Sequence, residues 1–345
     1  MERLKANPEL TGKGKYIANE VARLDRGDTG YAFPSYNSAI STILELVENG
    51  SHVIGFMDKS SVAYHIFENI RRRSAGLRFT YLDNINEEHL RKVIIDETSL
   101  VWVESIKTPF FDIPDLKMVG RVCRECNVIS VSDNANATPH LVQPLNFGID
   151  IVVEDARSFL VGLENVEAGF AVIAPEREFL REKLAFLHDL LGSYLGDMEC
   201  STVEKALKSF TERMNKSCGI AEIITDFLSS SNEVEEIYRI NLEQDLTKAF
   251  HRKDVKKSGN SFSFLLEGDM ERALRFKSKL KLFKPRTGSS MTAKGGTYWH
   301  PASELYGAVP FEIRSELGIP DGLFQLGVGL GNSDDLIEDL CQALI

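Results

Sequence analysis

Short apolar runs without alternation, set between stretches of helical spacing, constrain this 345-residue chain most. His52–Phe56, Leu100–Glu104, Val128–Ser132, Asp150–Val153 and Gly169–Ile173 are such runs. A strand wetted on one face alternates apolar with polar residues; a strand apolar throughout is covered on both faces. The spacing predicts helices over Ala63–Arg72 and Ile113–Cys126, long enough to serve as crossovers between parallel strands. The expected class is therefore α/β, with a mostly parallel sheet sandwiched by helices. Ligands of such sheets lie outside the carboxyl ends of the strands. That rule marks Glu104–Pro109, Asp133–Thr138 and Glu154–Ser158 as the places to look.

From about residue 181 to 213 the pattern turns long and helical, with an apolar stripe of Leu180, Leu184, Leu187, Leu190 and Leu191, continued by Val203–Met214. Phe262–Leu266 then reads as a strand, Met270–Lys279 as a helix and Leu323–Leu330 as a Gly-punctuated strand. Asp334–Leu344 reads as a closing helix, with Ser333, Asp334 and Asp335 suited to its start. Two domains are expected: a large one over 1–200 and a smaller α+β one over 201–345.

Forty Lys and Arg stand against 51 Asp and Glu, a formal charge of −11. An acidic chain repels phosphate backbones, so nucleic acid is not an expected partner. Arg71, Arg72 and Arg73 end a helical pattern and read as a solvated terminus. No window is apolar enough to span a bilayer, and the residues after Met1 lack a signal-peptide core. A cytoplasmic protein without membrane contact is expected. Five scattered cysteines fit a reducing compartment better than a disulfide framework. The Cys123/Cys126 pair lies inside a helical pattern with no second pair, and the seven histidines show no ligand spacing, so no metal site is expected. Neither GxSxG nor a P-loop is present.

Specificity comes from motifs in series. Gly50-Ser-His-Val-Ile54 resembles GDHVI; Glu104-Ser-Ile-Lys-Thr-Pro109 resembles ESPTNP; Asp133-Asn-Ala-Asn-Ala-Thr-Pro139 resembles DNTFATP. Gln143–Val153 resembles the run that leads to a cofactor lysine. Leu207–Met214 and Phe324–Gly329 followed by Asp334–Leu344 resemble the corresponding later segments. Collinear over about nine-tenths of the chain, these motifs resemble the trans-sulfuration (Cys/Met metabolism) family of pyridoxal-phosphate (PLP) enzymes: cystathionine synthases and lyases, methionine γ-lyase and O-acylhomoserine sulfhydrylases. The resemblance implies the PLP-transferase fold type I and a dimer or tetramer with sites at subunit interfaces. It also implies Asp133 as the partner of the cofactor's pyridine nitrogen.

The site residues depart from that pattern. The family's lysine, in S-x-T-K, falls on Ser158, and a hydroxyl can neither form an imine nor shuttle protons at neutral pH. Asp155 and Arg157 replace the serine and threonine of the phosphate cup, and SSGM becomes Pro34-Ser35-Tyr36-Asn37, with a large side chain in place of glycine. The stacking tyrosine of YGGT falls on Ser60. The substrate-carboxylate arginine of RLSVG falls on Gln325. The family's N-terminal arm with its YSR has no counterpart before Asn7. Asp58, Glu104, Lys208 and Arg213 keep their family identities.

The cofactor-site positions to inspect are thus Asp133, Arg157, Ser35, Asn37 and Ser60, with Gln325 and Ser290 facing a substrate. Lys107 and Lys294 are the candidates for a relocated amine, and Lys284, Arg286 and Lys294 the cations for an anionic ligand. Trp299-His300-Pro301 reads as packing. The first expectation is a pseudoenzyme without covalent cofactor, acting as a binding or partner subunit. It would form a homodimer or tetramer, or a heteromer with an active paralogue. Noncovalent PLP and a small amino-acid-like ligand are kept as occupants of the cleft. The alternatives are altered chemistry on a sulfur-containing amino acid, or PLP-dependent C–S lysis or γ-replacement through a relocated lysine.

Overall fold

In the computed structural model, residues 8–157, 166–240, 258–286, 295–307, 309–316 and 318–345 are described. Helix α1 (Pro8–Leu24) leads into β1 (Thr29–Phe33) and α2 (Tyr36–Ile43). The sheet continues with β2 (His52–Phe56), β3 (Arg78–Tyr81), β4 (Thr98–Glu104), β5 (Ile129–Asp133), β6 (Ile151–Asp155) and β7 (Gly169–Ile173). Their order is β1-β7-β6-β5-β4-β2-β3. The five strands from β6 to β3 are parallel; β7 and β1 join antiparallel at one edge.

Strand geometry explains the unbroken apolar runs. Val101 and Val103 enter the core on one face, and Leu100 and Trp102 enter the core on the other. Val152 and Val153 divide in the same way, as do Phe170 and Ala171. Each such position is buried, so truncating a leucine or isoleucine here costs about 2–5 kcal/mol.

A second sheet orders β10-β11-β12-β9-β8, from β8 (Val234–Tyr238), β9 (Ser261–Leu266), β10 (Phe283–Pro285), β11 (Gly296–Trp299) and β12 (Leu323–Val328). Its core is packed by the helices Phe210–Ser229, Met270–Lys279 and Ser333–Leu344. Among the described residues no helix is long and apolar enough to cross a membrane.

Local expectations shift at the ends of elements. The helix expected from Ile113 begins at Leu116, because Asp115 caps it by accepting the Met118 N–H at 2.9 Å. The long pattern after residue 181 is three helices, Glu178–Leu191, Asp197–Leu207 and Phe210–Ser229. Gly192, at φ 60°, ends the first of them. The closing helix is capped by Asn332, whose side chain takes the Asp334 N–H at 2.7 Å, and Ser333 is already helical.

Candidate cofactor-type cleft

The ends of β4 and β5 lie side by side, and their register sets Glu104 opposite Asp133. The loop after β2 folds over Glu104, whose Oε2 accepts the Asp58 N–H at 3.0 Å. The carboxylate of Asp58 accepts the Ser60 N–H at 2.8 Å and the Thr108 hydroxyl at 3.1 Å. An Asp receiving the N–H two residues on is an Asx turn, a local solution available to any Asp-x-x loop. Burial pushes Asp58 up, and the Ser60 and Thr108 hydrogen bonds oppose the rise. Glu104 goes well above the usual carboxyl range through burial, with Asp58 and Asp133 adding repulsion.

The opposite wall is built from α2. Gly169 on β7 faces the start of that helix, and a Cβ there would lie 2.6 Å from both Ser35 O and Tyr36 Cα. Only glycine lets α2 rest this closely on the sheet. Ser35 is the cap of α2, its Oγ accepting the Ser38 N–H at 3.1 Å, and Tyr36 is the first helical residue. From there the buried Tyr36 hydroxyl donates to Asp133 Oδ2. The other Asp133 oxygen accepts the Ala135 N–H at 3.3 Å. Burial pushes Asp133 up to about 6, restrained by these two hydrogen bonds. Burial and the neighbouring Asp133 carry the Tyr36 phenol well above its usual range, so it remains a donor.

The end of β6 supplies the third wall. Asp155 is buried, and its Oδ1 accepts the Arg157 N–H at 2.9 Å. The Arg157 guanidinium lies 3.6 Å from Asp155 Oδ1 and donates to Glu167 Oε1 at 2.8 Å. Across the cleft, the second sheet brings Arg286 beside Gln325. The Arg286 N–H donates to Tyr298 O at 2.8 Å, Trp299 pairs with Gln325 in the register, and Arg286 Nη1 reaches Gln325 Oε1 at 3.5 Å. Burial lowers the Arg286 guanidinium, while Asp58, Asp155 and Glu104 hold it charged.

These walls enclose a cavity of about 290 Å³, at the small end of ligand-binding clefts. Asp58, Glu104, Asp133 and Glu304 line it, together with Arg157 and Arg286. A larger cavity, about 480 Å³, lies apart between α1, β1 and the helix Glu178–Leu191, and none of the residues singled out in the sequence lines it.

Of those residues, the structure brings Asp133, Arg157 and Ser60 together on the cavity, with Gln325 behind Arg286. Ser35 serves as a helix cap and Asn37 is exposed, so neither faces the cleft. Lys107, a candidate for a relocated amine, does not line the cavity. Its loop pairs back on itself between Lys107 and Asp112, so the ammonium donates to Asp83 O at 2.9 Å and lies over the Phe56 ring, off the cavity. Lys208 is exposed, with Glu204 at 3.9 Å, and Arg213 bonds back onto its own helix region through Ala206 O and Ser209 Oγ. Trp299, read as packing, lines the cavity, whereas His300 does pack, held by Ser303 Oγ and Asp321 O. Ser158, Ser290 and Lys294 lie outside the described residues. Asn136, within the Asp133–Pro139 motif, also lines the cleft, as do Glu304 and Leu305, which no motif in the sequence marks.

A mostly parallel seven-stranded sheet flanked by helices, with a second, smaller sheet across the cleft, is the fold type I architecture of PLP-dependent enzymes. Within that class, the chain belongs to the Cys/Met metabolism PLP-dependent enzyme family, whose model matches residues 11–345. It is 32% identical over 324 residues to a cystathionine beta-lyase of Coxiella burnetii, covering 94% of this chain and 83% of that protein. It is also 32% identical over 345 residues to an L-methionine gamma-lyase of Fusobacterium nucleatum, covering 98% of this chain and 84% of that protein. A crystal structure of cystathionine gamma-lyase from Lactobacillus plantarum complexed with L-serine superposes with a TM-score of 0.86. It has 26% identity and covers 99% of this chain and 90% of that one.

The family is PLP-dependent, so the walls can be tested against that cofactor. They do not fit it. If Asp133 is the partner of a protonated pyridine nitrogen, as the resemblance implies, the Tyr36 phenol that donates to its Oδ2 competes for that oxygen and fills the space in front of it. A phosphate beside Arg157 would also face buried Asp155, and like charges 4 Å apart repel by about 4 kcal/mol at an effective dielectric of 20. Among the described residues no lysine lines the cavity.

Proposed function

We propose that this chain is a family member that has given up lysine-dependent PLP catalysis and acts as a binding or partner subunit. The observation that carries this reading is the Tyr36–Asp133 hydrogen bond, which commits the pyridine-nitrogen partner to a residue of the chain itself. The Asp155–Arg157 pairing and the placement of Lys107 off the cleft support it. The relatives named as lyases carry the activity in their own names, and the altered walls argue against its transfer to this chain. On this reading the chain assembles as a homodimer or tetramer, or with an active paralogue.

Arg286 favours one use of the remaining space. A guanidinium beside Gln325 suits a carboxylate, and Asp58, Glu104 and Glu304 suit an ammonium group, so the ligand is a small amino-acid-like zwitterion held without a covalent bond.

The test is to incubate the purified chain with PLP, reduce with borohydride and map pyridoxyl-lysine by peptide mass. No site-specific adduct is expected. A stoichiometric adduct on one lysine, Lys294 included, would restore the C–S lyase reading. Arg286→Met should abolish any thermal shift by amino acids, and an unchanged shift would remove Arg286 from the ligand site.

A further inference from the structure

Behind the cleft, on the other side of β6, lies a carboxyl pair that the proposed function does not use. Glu154 and Asp25 are both fully buried and their side chains meet. Glu154 Oε1 accepts the Asn134 amide at 2.6 Å, and the same amide donates to Val142 O at 3.0 Å. Among the described residues no donor other than the facing acid reaches either Asp25 oxygen or Glu154 Oε2, and none reaches Asn134 Oδ1. No Lys, Arg or His among the described residues forms an ion pair with either acid.

Four buried acceptors without a donor are costly, and two facing carboxylates without a cation more so. One proton removes one of the two charges and answers two of these four atoms, since a protonated carboxyl donates to its partner. It also links two elements distant in sequence. Asp25 ends the turn after α1, where its N–H donates to Val21 O at 3.2 Å, and Glu154 is in β6 beside Phe170 of β7.

We propose that Asp25 and Glu154 share a proton and thereby latch the end of α1 to β6, a latch that loosens as pH rises. Burial pushes both acids well above the usual carboxyl range, and the charges facing Glu154 from β5 and β6, Asp133 and Asp155, push it the same way. The folded chain then binds a proton that the unfolded chain releases above about pH 4, so stability falls as pH increases beyond that point. This inference is independent of how the cleft is used.

The melting temperature of the full chain should fall with rising pH, by about 2 °C per unit for one proton. Asp133 and Glu104 contribute to the same slope, so the comparison with Glu154→Gln is decisive. Its amide can donate to Asp25 at any pH, and the slope should flatten by one proton's worth. Asp25→Asn should do the same, and the double variant should flatten it no further. Parallel slopes in wild type and Glu154→Gln would overturn the latch. If neither variant folds, carbon-13 carboxyl shifts of the wild type decide: one of the two acids protonated at pH 7 supports the latch, and both ionised overturns it.

Discussion

The two acidic walls of the cleft bury carboxyls in different ways. Asp58 and Glu104 are answered by backbone and a small hydroxyl from the strand-end loops after β2 and β4, the Asp58 and Ser60 N–H groups and the Thr108 hydroxyl. Asp133 accepts the Ala135 N–H from the loop after its own strand and, from 97 residues away, the phenol of Tyr36. A locally satisfied carboxyl leaves the space in front of it open. One that also receives a distant aromatic residue has that space filled, and on the proposed reading it is the space in which the family's cofactor would find its nitrogen partner.

Breaking the distant wall should cost most. Gly169→Ala puts a methyl 2.6 Å from two backbone atoms of α2, which must shift and carry Tyr36 with them. A loss of about 3 kcal/mol in denaturant-derived stability is expected. A loss under half that would mean that α2 yields easily and that Tyr36 is not firmly placed.

Tyr36→Phe keeps the ring and removes the donor, leaving a buried acceptor on Asp133. About 2 kcal/mol should be lost. The Asp133 carboxyl, now near 6, should rise further, visible as a carbon-13 titration displaced to higher pH. An unmoved titration would show that the phenol does not hold Asp133.

Thr108→Val breaks the strand-end wall instead and should cost about 1 kcal/mol, since Asp58 retains the Ser60 N–H. Asp133 should titrate as before. Equal losses for Thr108→Val and Tyr36→Phe would erase the distinction between the walls.

The same distinction separates what could be read from the sequence. The strand runs were legible because burial on both faces leaves only apolar residues, and the strand-end rule then located Glu104, Asp133 and Asp155. That β7 and β1 run antiparallel was not legible, because a buried strand has the same composition in either direction. Tyr36 was visible as a bulky residue at a glycine position, but its reach to Asp133 depends on Gly169 bringing α2 onto β7. The pairing of Arg286 with Gln325 depends on three strands of the second sheet, with β11 between the end of β10 and β12. Lys107 misled because a hairpin contact, not motif position, decides where its amine points.

The central claim is that Tyr36 holds the acceptor PLP would need. Equilibrium dialysis of PLP against the wild-type chain and Tyr36→Gly, with the visible spectrum of each, tests it most directly. The wild type should retain no stoichiometric PLP, and the variant, with acceptor and space released, should bind it measurably more tightly. One PLP retained per wild-type chain, with the absorbance of an imine, would contradict the claim.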